Sequence, residues 1–404
     1  MALNDVVGSG VYLLPAAAAA LLGPASLWAV FLAGAAVLLI VLCFAEASSR
    51  FDQPGSAYLY ARTAFGGLAG TEVGLMSWLT RVASIASLSA GFAQAVSYLW
   101  PGAAEGWWRA AVIALPLTAL TAVNVVGVAA GVSAAMALLA GKLLPLLFFL
   151  AAGLPRARWE TFAAQPEGEG RIGEAALLLL FAYAGFENTP AAAGEYRNPR
   201  RDVPFALMAN IVIVTLLYAG TQWVALGVLP SASSSDTPLA DAAERFAGRW
   251  AGVLMTVGAG LSILGTNSNS VLTGPRYLLA LARDGVGPAA LAAVHPRFRT
   301  PVTAILLQGA ITLPLALTGT FTGLAALSVV ARLASYLATA AAVPVLRRKL
   351  GDRPGTLRLP LGPAIPLAAA AVTLALAASA TGRHLLTAGL VLLAGALLHL
   401  LRRR

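Results

Sequence analysis

The stretch from Leu177 to Pro204, LLLLFAYAGFENTPAAAGEYRNPRRDVP, decides the fold. It starts as apolar sequence of membrane grade and is interrupted at Tyr183-Ala184-Gly185-Phe186. Glu187 then follows before the chain can have left a bilayer. After three alanines the stretch ends in a polar run, Glu195 through Asp202, closed by Pro204. Lipid offers neither backbone nor charge a partner, so a glycine break and a carboxylate at that depth are expensive. Two readings compete. In one, a kinked structural helix lets Glu187 bond a neighbour. In the other, a discontinuous helix lines a cavity, and such helices come in pairs. The second reading requires a partner break in the other half of the chain.

Composition fixes the solvent. The 404 residues are 59% hydrophobic and 11% charged, with mean hydropathy +0.79. A soluble domain carries about 25% charged residues. Apolar runs near the roughly 20-residue spanning length recur from end to end. The chain therefore reads as a polytopic helical membrane protein. Its net charge of +10 does not point to nucleic acid, because the basic residues sit in short loops between apolar runs and act as topology signals. Cys43 is the only cysteine, so no intramolecular disulfide can form, and His295, His384 and His399 match no metal spacing. No cofactor is called for. No cleavable signal peptide precedes the first span.

The partner break is found in the first segment, where Gly8-Ser9-Gly10 interrupts apolar sequence before Val11-Tyr12-Leu13-Leu14-Pro15. Glycine frees the backbone and serine offers a hydroxyl. A small-residue packing face is the alternative. Seven residues precede Gly8, about 10 Å as helix. That is short of half a bilayer, so a truncated first half-helix is expected. The second span covers about Ala25 to Ala47, and a short amphipathic surface segment leads through Asp52-Gln53-Pro54-Gly55 to Tyr58, Tyr60 and Arg62. Arg81 lies deep in the third span, about Gly67 to Leu99, and requires an acidic partner or the bundle interior.

Trp107 and Trp108 mark an interface turn. Lys142 lies too deep in the fifth span, about Gly131 to Leu154, to snorkel easily. It reads either as a proton carrier or as a counter-ion for an acid such as Glu187. A polar loop from Leu154 to Ile172 precedes the opening stretch, and the seventh span covers about Phe205 to Leu229. Thr237-Pro238 is the expected start of a short helix. The eighth span, about Trp250 to Ala282, is polar in its middle, Gly265-Thr266-Asn267-Ser268-Asn269-Ser270, and can line a cavity or bond helix to helix. Four more spans follow, and twelve fit in all.

Of the 27 Lys and Arg residues, 17 fall on one side of this arrangement, seven on the other and three within spans. The rich side is cytoplasmic by the positive-inside rule, and both termini are inside. The breaks fall in the first and sixth spans, so one runs outward and the other inward. That is the pattern of an inverted five-helix repeat with a site at the midplane. Half-helix N-termini suit a carboxylate, and half-helix C-termini with unwound carbonyls suit an ammonium. A small α-amino acid bound across both breaks satisfies both.

Four motifs then carry a resemblance. GSGVYLLP, FAYAGFENTPAAAGEYRNPRRDVP, RYLLALARDG and LASYLATAAAVPVLRR resemble, in order and spacing, the first, sixth, eighth and tenth helices of the amino acid–polyamine–organocation (APC) superfamily. The resemblance implies an all-α polytopic membrane protein with a LeuT-like 5+5 inverted repeat plus two C-terminal helices. Helices 1 and 6 would be discontinuous, and helix 1 N-terminally truncated. The units would be 1–154, 173–349 and 363–404. It implies secondary active transport of amino acids by alternating access in the cytoplasmic membrane, with no enzymatic activity.

By analogy, Gly8, Ser9 and Gly10 would bind the substrate carboxylate. The carbonyls of Phe181, Ala182 and Tyr183 would bind its ammonium beside Gly185, with Phe181 as a gate. Glu187 and Arg81 would serve coupling or gating, and Lys142 resembles a lysine that stands in for a sodium ion. Protons would then be the coupling ion. Asn267 and Asn269 in place of an aromatic platform favour a neutral over a guanidinium substrate. An amino acid/amine exchanger and a non-transporting membrane sensor are the alternatives.

Overall fold

The computed structural model describes residues 2–51, 56–127, 132–158, 171–190, 196, 198–229, 234–352 and 354–401. Residues 52–55 of the expected surface segment, 128–131 where the fifth span was to start, and 159–170 of the polar loop lie outside them. So do residues 191–195 and 197 of the opening stretch, residues 230–233, Arg353 and the final three arginines.

All regular structure among the described residues is helical. The first half comprises α1 (Ala2–Val6), α2 (Gly10–Leu22), α3 (Ser26–Ser49), α4 (Ala57–Phe65), α5 (Gly67–Val96), α6 (Gly106–Val126) and α7 (Val132–Gly153). There follow α8 (Ile172–Tyr183), α9 (Pro199–Val228), α10 (Pro238–Ala247) and α11 (Arg249–Arg283). The chain closes with α12 (Val302–Thr318), α13 (Phe321–Leu350), α14 (Ala364–Ala378) and α15 (Gly382–Leu400). Among the described residues, eight stretches are long and apolar enough to cross a membrane, and α8, α12 and α14 are shorter apolar helices. The first of the eight, Gly10–Ser49, joins α2 to α3 through a 3-10 turn at Gly23–Ala25. These lengths and compositions describe a polytopic membrane protein.

The helix α5 is the axis of the bundle. It packs chiefly against α13 and α11, while α3 runs along α9. Its seam with α13 is polar: Ser84 Oγ lies 2.6 Å from Ser328 Oγ, and Ser87 Oγ donates to the Phe321 carbonyl at 2.8 Å. Small hydroxyl residues let two helices approach closely, where lipid-like surroundings supply no hydrophobic drive. At the periphery, α15 turns Leu386, Leu390, Leu393 and Leu397 outward along one face. A helix that meets lipid requires such a face.

Two helix starts differ from expectation. The seventh span begins at Pro199 rather than near Phe205. Proline fits the first helical turn, and the Asp202 carboxylate accepts from the Asn198 amide at 3.0 Å. The described end of the polar run is therefore the first turn of α9. At α10, Thr237 precedes Pro238 as expected, but its hydroxyl donates to Asp241 Oδ1 at 3.2 Å instead of accepting a backbone N–H.

One ion cluster ties the ends of α3 and α13 together. Glu46 is fully buried and accepts from Arg347 Nε and Nη2 at 2.6 and 2.7 Å, from Arg50 Nη2 at 2.9 Å, and from the Leu359 amide at 3.0 Å. Removing the acid leaves Arg347 without its carboxylate and Arg50 with Asp352 alone, where breaking a buried pair costs about 3–5 kcal/mol. Glu46→Gln is expected to lower the thermal unfolding midpoint of the detergent-purified protein clearly below wild type. An unchanged midpoint would show that the cluster contributes nothing to stability.

Candidate functional site

The chain leaves helical geometry twice in the bundle interior, at Val7–Ser9 between α1 and α2 and at Ala184–Gly185 after α8. Each break frees buried backbone groups, and each is answered by side chains of the bundle. The Val7 carbonyl accepts from Lys142 Nζ at 2.8 Å and from Ser262 Oγ at 3.2 Å. The Tyr218 hydroxyl reaches both the Ala182 carbonyl at 2.9 Å and the Val6 carbonyl at 3.2 Å. At the second break, the Gly185 amide donates to Glu187 Oε2 at 3.0 Å.

The breaks also interlock. A Cβ placed on Gly10 would lie 2.6 Å from the Ala182 backbone Cα, and one on Gly185 would strike the Asp5 carbonyl. Gly185 in addition adopts φ +118°, which side-chain-bearing residues rarely enter. Only glycine lets the two breaks meet this closely.

Between them lies a cavity of about 30 Å³, against the roughly 10–15 Å³ needed by one water. Of the residues expected at a site, Gly8, Ser9, Gly10, Phe181, Ala182, Gly185, Asn269 and Arg81 line it. The others stand behind its wall. The Tyr183 hydroxyl turns away to the Val30 carbonyl at 3.0 Å, and Asn267 Nδ2 donates to Ser89 Oγ at 3.0 Å. Residues two apart on a helix do not share a face, so Asn267 and Asn269 cannot both look into one cavity. Asn269 is the one at the wall, donating to Asp5 Oδ1 at 2.9 Å. Two buried hydroxyls of the lining, Ser9 Oγ and Thr266 Oγ1, have no hydrogen-bond partner.

Lys142 and Glu187 do not pair as one reading of the sequence had it. Lys142 serves the first break, whereas Glu187 lies between two guanidiniums, with Oε1 3.3 Å from Arg332 Nε and 3.9 Å from Arg81 Nη2. Arg81 also donates to the Asn188 side-chain carbonyl. Arg81 thus finds the acid that its depth required. Two members of this group, Asp5 and Arg332, were not among the expected site residues. Both carry a readable signal, an ionisable side chain within an apolar segment.

The cavity is bounded differently at its two ends. On one, the Phe181 ring meets Phe321 edge-on at 6.0 Å, and Phe321 lines a wider cleft of about 370 Å³ together with Leu13, Gln94, Arg109 and Asp236. On the other lies a smaller cavity of about 20 Å³ lined by Glu187, Arg81, Arg332 and Tyr336. Beyond the bundle on α4, Tyr58 donates to Asp284, which Arg62 also contacts. Burial, then the Asp284 hydrogen bond and charge, push the Tyr58 phenol up to about 12, so it remains a donor at neutral pH. Among the described residues, no group of three or more His, Cys, Asp or Glu could hold a metal ion.

Comparison with known proteins agrees with this architecture. Residues 1–390 match the family described as amino acid permease. The chain is 27% identical over 390 residues to the branched-chain amino acid permease BcaP of Bacillus subtilis, covering 91% of this chain and 83% of that one. It is 27% identical over 393 residues to the methylthioribose transporter of the same organism, covering 93% and 85%. With the Bacillus subtilis serine/threonine exchanger SteT it shares 28% identity over 411 residues, covering 98% and 92%.

The glycine contacts give a graded test. Gly10→Ala sets a methyl against backbone that cannot swing aside, which costs roughly 1–3 kcal/mol. Gly8→Ala would meet only Thr266 side-chain atoms, the nearest at 3.5 Å. The thermal midpoint is expected to fall for Gly10→Ala and to stay near wild type for Gly8→Ala. Equal midpoints for the two variants would contradict the interlocked breaks.

Proposed function

The chain belongs to the amino acid permease family, an amino acid transporter of the membrane and not an enzyme, and we propose that it works by alternating access around the two interlocked breaks. The reading adopts the LeuT-like inverted repeat, with 1–154 and 173–349 as its halves, 363–404 as added helices and about twelve spans. The membrane is the cell membrane. Both termini are cytoplasmic, in keeping with the excess of basic residues on that side.

The observation that carries the site is the buried Ser9 hydroxyl, without a partner, on the cavity wall at the start of α2. Together with Gly8 and Gly10 it receives the substrate carboxylate, where a helix N-terminus favours negative charge. The ammonium goes to the end of α8, to the carbonyls of Phe181, Ala182 and Tyr183. A carbonyl accepts two hydrogen bonds, so the Tyr218 contact leaves Ala182 able to serve. Phe181, against Phe321, is the gate toward the wider cleft. The side chain of the substrate is neutral rather than cationic, because Arg81 and Arg332 line the cavity and repel a second cation.

Uptake is Na⁺-independent and proton-coupled in this reading. The Lys142 ammonium on the Val7 carbonyl places an ionisable cation on the broken backbone itself. Its protonation and the geometry of the first break are then linked. Glu187, held between Arg81 and Arg332, ties the second break to α5 and α13.

Purified protein in proteoliposomes, given a panel of labelled amino acids with and without an inward proton gradient, tests this. Accumulation in empty vesicles that collapses with the gradient is the expected result. Lys142→Ala is expected to abolish gradient-driven accumulation while the transported amino acid still raises the thermal midpoint. Uptake confined to preloaded vesicles would instead make the protein an exchanger and remove the coupling role of Lys142.

A further inference from the structure

Five ionisable side chains are gathered around the breaks: Asp5, Arg81, Lys142, Glu187 and Arg332. Counted as ionised they are three cations and two anions. One positive charge is thus in excess inside an apolar bundle, where unbalanced charge is costly.

The unmet N–H donors of this group fall on Arg332. Its side chain is 4% exposed, and its Nε stands 3.3 Å from Glu187 Oε1 without the alignment of a hydrogen bond. Nη2 reaches Ser84 Oγ only at 3.4 Å, and Nη1 has no hydrogen-bond partner. The Tyr336 hydroxyl stands beside the Arg332 side chain and interacts with it, without the alignment of a hydrogen bond. Glu187 Oε1 stands between the two guanidiniums without an aligned hydrogen bond to either, and its other oxygen accepts from the Gly185 amide. Asp5, the carboxylate on the cavity wall, is engaged by Asn269. A guanidinium offers five N–H donors in a planar fork that matches a carboxylate. Arg332 and Ser84 line the same cavity as Ser9 and Gly10.

We propose that Arg332 determines specificity for the substrate side chain by holding a side-chain carboxylate, so that the cavity takes acidic amino acids. The inference rests on the zwitterion site proposed above, keeps its exclusion of cationic side chains, and replaces the neutral side chain of that reading with an anionic one. An acidic amino acid carries one net negative charge, which cancels the excess in the loaded cavity. A neutral amino acid leaves the excess in place, and a cationic one doubles it.

The test uses pairs that differ in charge at nearly constant shape. Uptake of the best-transported labelled amino acid into wild-type proteoliposomes is competed with unlabelled aspartate against asparagine, and glutamate against glutamine. At least one acid is expected to compete about tenfold or more better than its amide. Arg332→Gln should erase that ratio, and Arg332→Lys, which keeps the charge but loses the fork, should reduce it. Amides that compete as well as the acids in wild type would overturn the inference and leave the zwitterion site standing. So would a ratio unchanged in Arg332→Gln or, should that variant not fold, in Arg332→Lys. Wild-type protein that no amino acid loads would instead overturn the zwitterion site, and this inference with it.

Discussion

Interrupting a helix where water cannot follow obliges the protein to supply hydrogen-bond partners from its own side chains, and this obligation organises the bundle. Each orphaned backbone group in such surroundings costs several kcal/mol. The carbonyls of Val6, Val7 and Ala182 are met by Tyr218 from α9, Lys142 from α7 and Ser262 from α11. Three helices distant in sequence are thereby fixed around one point. Their places follow from what the broken backbone lacks, as much as from the apolar faces they bury.

Charge is distributed with the same economy. Buried ions are grouped at the centre, where Glu187 stands between Arg81 and Arg332, and at one end of α3 and α13, where Glu46 joins Arg50 to Arg347. In the end cluster the carboxylate has four donors and its acceptor capacity is filled, while Arg50 Nε is left without a partner. The central cluster is open, with guanidinium nitrogens and hydroxyls left over. A filled carboxylate fixes structure, whereas the unfilled donors of the central cluster lie beside the cavity, where the proposed substrate would meet them.

The breaks were legible in the sequence because each glycine had a polar neighbour inside an apolar run, Ser9 in one and Glu187 in the other, and both Gly8-Ser9-Gly10 and Gly185 stand at or beside an interruption. Lys142 and Arg81 were legible as buried cations in need of partners, but the partners were not. Lys142 bonds a carbonyl that only a break exposes, and no pattern of side chains reveals it. Asn267 and Asn269 read alike as letters, and their separation of two residues placed them on different faces of α11. The serine seam of α5 with α13 was illegible for another reason. Hydroxyls that bond across helices depend on register between segments more than 240 residues apart, and register between helices is a tertiary property.

Tyr218 has a single hydroxyl hydrogen but lies within reach of two carbonyls, one from each break. It cannot serve both at full strength, so the hydrogen acts as an arbiter. In the alternating-access reading proposed above, the first break would draw away from the second, and the bond would settle on whichever carbonyl stays near. A rearrangement that would otherwise strip a buried acceptor on each side becomes an exchange of partners at one phenol. In that reading the ring of Tyr218 would be the post between the two breaks as they part and rejoin, always able to satisfy one of the two carbonyls.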